Sequence, residues 1–242
     1  MIKYQPFRTS IYIILLCLSC AALSASEPEK PMSLETQVEG LWSYTGLTTS
    51  DGKELPLYGV FLLKNGKFIQ YAVFKGEPFE DQGSMAHTGT YSELDGFIHL
   101  KADQTLSTSP KEETPLQSRG ETDHDLSVER SGNDLTLVFS KGTGTIQLFE
   151  LISSGSGDFY WLENGALTLV DGHFILVDGN ESKMNAGYGS YKTIEGSIEM
   201  NIERWTNAAP DFATNISGTS LKGSFDGKTL TLNDGRVYKV KP

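Results

Sequence analysis

Side chains able to do chemistry are few and widely spaced in this chain of 242 residues. Four histidines, His87, His99, His124 and His173, never reach the His-x-x-x-His spacing that aims two imidazoles at one metal. There is no Gly-x-Ser-x-Gly elbow, phosphate-cradling glycine loop or Asp-x-Asp-x-Asp-Gly calcium loop. Glu77, Glu80 and Asp81 crowd one short stretch, which reads either as a weak cation site or as a solvated acidic loop. Both cysteines, Cys17 and Cys20, sit near the amino terminus, so the remainder offers no disulfide, thiolate ligand or cysteine nucleophile. No catalytic residue, metal ligand or cofactor is assigned. The residues left to consider are Phe61, Phe68, Gln70, Tyr91 and Glu93, whose interest depends on how strands would position them.

The amino terminus has the layout of a secretory signal. Lys3 and Arg8 precede the apolar run from Ile11 to Leu18, and a small-residue segment follows, ending at Ala25-Ser26. Cleavage near Ala25 would leave an exported chain, periplasmic or secreted. The alternative is lipid anchoring through Cys20, because Leu18-Ser19-Cys20 faintly resembles a lipobox. Nothing after Ser26 is long and apolar enough to form a transmembrane helix. The full chain carries a net charge of −11. Losing residues 1–26 removes Lys3 and Arg8 and no acid, leaving 18 basic against 31 acidic side chains. Such a surface repels phosphate backbones, which argues against nucleic-acid binding. An exported chain without disulfides fits a bacterial envelope protein, and Asn180-Glu181-Ser182 and Asn215-Ile216-Ser217 then match glycosylation sequons by coincidence.

Beyond a polar leader (residues 27–37), turn dipeptides recur roughly every ten residues. They include Asp51-Gly52, Asn65-Gly66, Asp95-Gly96, Asp171-Gly172, Asp178-Gly179, Asp226-Gly227 and Asp234-Gly235. Asparagine, aspartate and glycine tolerate the positive φ of two-residue hairpin turns. Short runs of Val, Ile, Leu, Phe, Tyr and Thr lie between them, with no sustained helical period. The chain is predicted to be antiparallel β throughout.

The pattern is also duplicated. The block from Gly89-Thr90-Tyr91 to Leu100 recurs from Gly189-Ser190-Tyr191 to Met200. Upstream, Gly59, Gly66 and Phe68 match Gly165, Gly172 and Phe174; downstream, Leu135-Thr136-Leu137 matches Leu230-Thr231-Leu232. Aligning Gly40-Leu41-Trp42 with Gly144-Thr145-Ile146 divides the chain into residues 38–143 and 144–242, with 144–152 as a possible bridge between the copies. Two adjacent barrels are expected, the alternative being one larger barrel or sandwich formed from both copies.

Register then places the candidates. A turn at Asn65-Gly66 sets Leu63 opposite Phe68 and Phe61 opposite Gln70. Lys64 and Lys67 mark the other face, so the Phe61 face should point inward. The second copy sets Leu169 opposite Phe174 and Leu167 opposite Leu176, so an apolar Leu176 stands where the first copy has Gln70. A buried amide needs partners or costs about 1–3 kcal/mol, which makes Gln70 a candidate for orienting a ligand. Tyr91 and Glu93 follow on the same argument around Asp95-Gly96. Trp42 is expected to plug the barrel base, and His99 and His173 to point outward.

Gly40-Leu41-Trp42, Gly89-Thr90-Tyr91 and Leu135-Thr136-Leu137 together resemble the lipocalin-like (calycin) domains of bacterial exported proteins. The resemblance spans most of the first copy and is thinner in the second, where Ile146 replaces the tryptophan. It implies barrels of eight to ten antiparallel strands that often enclose a small apolar or amphipathic ligand. It implies no catalytic set. The readings left open are a carrier of such a molecule, a structural module contacting an envelope protein partner, and a barrel-based isomerase or hydrolase.

Overall fold

The computed structural model describes residues 32–140 and 144–242. The expected export signal, Cys20 and the start of the leader lie outside them. The rest of the leader is not merely polar: Ser33 caps a short helix, α1 (Leu34–Val38), by accepting a hydrogen bond from the Thr36 amide at 3.3 Å. Leu34 and Val38 pack beneath the strands that follow.

Those strands form two tandem antiparallel barrels. The first comprises β1 (Gly40–Thr48), β2 (Leu57–Lys64), β3 (Lys67–Phe74), β4 (Ser84–Leu94), β5 (Phe97–Thr108), β6 (Leu116–Ser118), β7 (Thr122–Ser131), β8 (Asp134–Phe139) and β9 (Ile146–Ser153). Eight of them close a ring in which β4 pairs with β5 and β9 returns to β1, while β6 rides on the end of β5. The second comprises β10 (Gly157–Leu162), β11 (Gly165–Val170), β12 (His173–Asn180), β13 (Lys183–Ile194), β14 (Ser197–Ala209), β15 (Phe212–Ile216), β16 (Thr219–Phe225), β17 (Thr229–Leu232) and β18 (Val237–Lys239). Here β15 rides on β14, and the ring nearly closes. β10 and the residue just after β18 meet at a Leu162–Val240 bridge, with Lys241 N donating to Trp161 O at 2.8 Å.

Hairpin chemistry sets this order. Asn65, Asp95 and Asp171 take φ of 50°, 51° and 45°, each followed by a glycine also at positive φ. The cross-strand pairs Phe61–Gln70, Leu63–Phe68, Leu167–Leu176 and Leu169–Phe174 all form as expected. Both copies also share a β-bulge, between Thr88 and Gly89 in the first and Tyr188 and Gly189 in the second. A Cβ on either glycine would lie about 2.0–2.1 Å from a carbonyl oxygen of the next strand, so no side chain fits there.

Two expectations are corrected. Residues 146–153, aligned above with the opening of the second copy, form β9 between β1 and β8 of the first barrel. Alternating apolar residues after a glycine suit any barrel strand, so the pattern alone could not choose its partners. Asp178-Gly179 is not a turn but lies inside β12, opposite Asn185 and Met184. The chain reverses instead just beyond, between Asn180 and Lys183.

The outer face of β2 and β3 also departs from the polar surface that Lys64 and Lys67 implied. Val60, Leu62, Ile69, Tyr71 and Val73 are buried against Val170, Ile175, Val177, Met184 and Ala186 of the second barrel. These strands are therefore covered on both sides, which is why they read as nearly continuous apolar runs. Polar contacts fix the junction. Tyr71 and Thr206 hydroxyls meet at 2.8 Å, and Thr206 donates to Asn215 Oδ1 at 2.6 Å. Asn215 Nδ2 donates to the carbonyls of Phe79 and Gln82 at 3.0 and 2.6 Å.

Candidate functional site

Along its axis the first barrel is layered, and each layer follows from strand alternation. At the base, Trp42 is fully buried and donates its indole N–H to Val38 O at 2.7 Å, with the Arg130 guanidinium 5.0 Å from its ring. Above it Phe61, Phe68 and Phe149 pack ring against ring at 5.7–5.8 Å, and Tyr44 meets Phe149 at 4.3 Å. A polar belt follows. Gln70, 2 % exposed, donates from Nε2 to the Tyr44 hydroxyl and, at 3.3 Å, to Gln147 Oε1. Burial raises the Tyr44 pKa, with the Gln70 hydrogen bond opposing it, so Tyr44 keeps its proton.

On the far side of this belt the barrel opens into a cavity of about 400 Å3. Gln147 lies at its inner end. Leu47, Phe74, Met85 and Phe139 supply apolar wall, and His87, His124 and Arg119 supply nitrogen donors. Serine and threonine hydroxyls fill much of the remaining lining, including the paired Ser84 and Thr108 and the paired Thr105 and Thr122, each pair at 2.8 Å. His87 faces inward because it sits opposite Gln70 on β3 and Thr105 on β5. Burial holds its pKa down to about 4, and His124 and Arg119 push the same way, so at neutral pH its ring is uncharged. Burial and His99 lower the His124 pKa too, while Asp123 and Asp125 oppose them.

The second barrel shows what the same position looks like when filled. Paired-strand register matches His87 with Gly187, Thr105 with Trp205, and Gln70 with Leu176. Trp205 is fully buried in the second core, its indole N–H bonded to Asn207 Oδ1 at 2.9 Å. A groove of similar volume lies beside the β13–β14 turn, but Glu195, Glu199 and Lys222 line it with charge.

The five candidate residues do not gather in one place. Phe61 and Phe68 lie in the packed aromatic layer, and Gln70 lies in the belt beneath the cavity. Tyr91 is buried near the base, its hydroxyl 3.4 Å from Glu39 Oε1. Glu93 keeps its expected register opposite Ile98 but projects beyond the barrel. There it accepts from the Leu34 amide at 2.8 Å and donates its own amide to Glu35 Oε1 at 2.9 Å, so it fastens α1 rather than facing an interior. A polar cluster of Gln70, Tyr91 and Glu93, which the isomerase or hydrolase reading requires, is therefore not formed.

Three nitrogen-bearing lining residues, His87, His124 and Arg119, are not among the five sequence candidates. Two of the three were within reach: counting back by twos from Tyr91 through Gly89 puts His87 on the inward face, and Leu126 does the same for His124. Arg119 lies in a loop whose path no period predicts. His99 pairs with Asp125 at 2.8 Å between the inward Ile98 and Leu100, and His173 is half-buried at a turn. No group of three or more metal-ligating side chains occurs among the described residues, and no helix there is long and apolar enough to cross a membrane. No family model, curated protein or solved structure matches the chain.

Proposed function

We propose that this protein holds a small amphipathic molecule in the open half of its first barrel, the second barrel serving as a solid support. The carrying observation is the contrast between the copies. One fold, built twice, is plugged by Trp205 in the second barrel and left hollow by Thr105 and His87 in the first. A void of about 400 Å3 lies within the usual range for small-molecule sites, and mixed apolar and hydroxyl walls suit a molecule with both kinds of surface. The closed eight-stranded ring with Trp42 at its base supports the lipocalin-like assignment as part of this reading. Export through the amino-terminal signal belongs to it as well.

A thermal-shift and native mass spectrometry screen of the mature chain against envelope lipids and metabolites tests it. One molecule per chain is expected, with a rise of several degrees in melting temperature. A screen in which no amphipathic compound binds would remove the reading.

A further inference from the structure

We infer that the molecule held in the first barrel is an organic anion: one negatively charged head, received by Arg119 with His87 and His124, on an apolar body. This rests on the reading of that barrel as a binding site and specifies its charge preference. The cavity is lined by sixteen residues, none of them aspartate or glutamate. The chain as a whole has 31 acidic against 20 basic residues, so sixteen drawn at random would contain about two carboxylates. The lining instead holds Arg119, His87 and His124, close enough that His124 and Arg119 both act electrostatically on His87.

Arg119 is held at the rim by its main chain, whose amide donates to Thr105 O at 2.9 Å. Its side chain is exposed, and it makes no ion pair with any described residue. An unpaired guanidinium beside an apolar pocket recognises a carboxylate or similar head through charge-assisted hydrogen bonds. The acids near His124 do not compete for this place. Asp123 and Asp125 alternate with it along β7, and Asp125 is engaged by His99 at 2.8 Å outside the barrel. The apolar body fits against Leu47, Phe74, Met85 and Phe139. A cationic head would meet Arg119 with no carboxylate to offset it.

Calorimetric titration of the mature chain with decanoate, decanol and decyltrimethylammonium tests the inference, because the three share a tail and differ in charge. Decanoate is expected to bind about tenfold more tightly than decanol, and decyltrimethylammonium more weakly than either. Arg119→Gln, a change at the exposed rim of the cavity, is expected to weaken decanoate about tenfold and decanol much less, bringing the two to similar affinity. Decanol or the cation binding as tightly as decanoate would overturn the anion preference while leaving the binding site standing. Equal weakening of decanoate and decanol by Arg119→Gln would do the same. Failure of all three probes to bind would overturn both.

Discussion

Trp205 lies across Gly187, with the indole Cε3 atom 2.5 Å from where a Cβ on that glycine would stand. The pair occupies adjacent strands, and the corresponding pair in the first barrel is Thr105 and His87. A bulky ring over a residue without a side chain fills one interior, whereas two middle-sized polar side chains leave the other hollow. The two interiors thus differ in how volume is shared across one cross-strand pair.

Exchanging that pair should exchange the property. His87→Gly combined with Thr105→Trp would rebuild the second barrel's plug inside the first. Because volume is roughly conserved across the pair, the cost should stay below about 2 kcal/mol. Decanoate binding should be lost with melting temperature kept within a few degrees. Undiminished binding by a folded double variant would show that the ligand sits elsewhere. Thr105→Trp alone would crowd His87 and should cost more.

Acid should loosen the native state through His87. Its ring titrates near 6.5 when unfolded but near about 4 in the barrel, where burial disfavours the cation. Between those values the unfolded chain binds the extra proton, so this contribution is complete above about pH 6.5 and declines as pH falls towards 4. A shift of that size corresponds to about 3 kcal/mol, and the opening of the cavity to solvent reduces it to about 1–2 kcal/mol. His87→Gln should therefore lose less stability than the parent between pH 7 and pH 4.5 in urea titrations. Parallel pH profiles would contradict this account.

Turn chemistry explains what could be read from the chain alone. Asn65-Gly66, Asp95-Gly96 and Asp171-Gly172 each demand positive φ, and that requirement fixes the register of the strands beside them. Inward-facing Phe61, Phe68 and Gln70 follow from those turns. Strand partners distant in sequence carry no such mark, which is why the pattern alone does not assign β9 to the first barrel. Asp178 misled for a related reason: buried to 5 % exposure, it pairs with Lys183 Nζ at 3.0 Å within a hairpin rather than making the turn. Gly179 serves a contact between barrels, since a Cβ there would stand 2.8 Å from Leu106 Cδ1 and its carbonyl accepts from Gln104. Nor does alternation reveal that the apolar outer faces of β2, β3, β11 and β12 cover one another.

The covered faces predict that the barrels unfold together. Asn215 is 3 % exposed and supplies donors to two carbonyls of the β3–β4 loop. Asn215→Ala would leave those carbonyls and the Thr206 hydroxyl short of partners, at a cost of about 2–4 kcal/mol. Calorimetry should show one transition for the parent, and for the variant a lower or divided one. The same burial keeps Asn215 out of reach of glycosylation in the folded protein. A parent that melts in two independent steps would mean that the shared core does not couple the barrels.

Glu93 and Gln70 should part company when altered. Glu93→Ala removes the acceptor for the Leu34 amide at an exposed site, so it should cost about 0.5–1 kcal/mol by loosening α1 and leave decanoate affinity unchanged. Gln70→Leu copies the residue of the second barrel, but Tyr44 and Gln147 would then face each other across an apolar side chain. The expected result is a destabilisation of about 1–3 kcal/mol together with weaker binding of decanoate, because Gln147 forms part of the cavity wall and loses its orienting partner. Measuring affinity and melting temperature on both variants separates the two roles. If Glu93→Ala weakened decanoate as much as Gln70→Leu does, the placement of the ligand at the open end would be untenable, since α1 lies at the other.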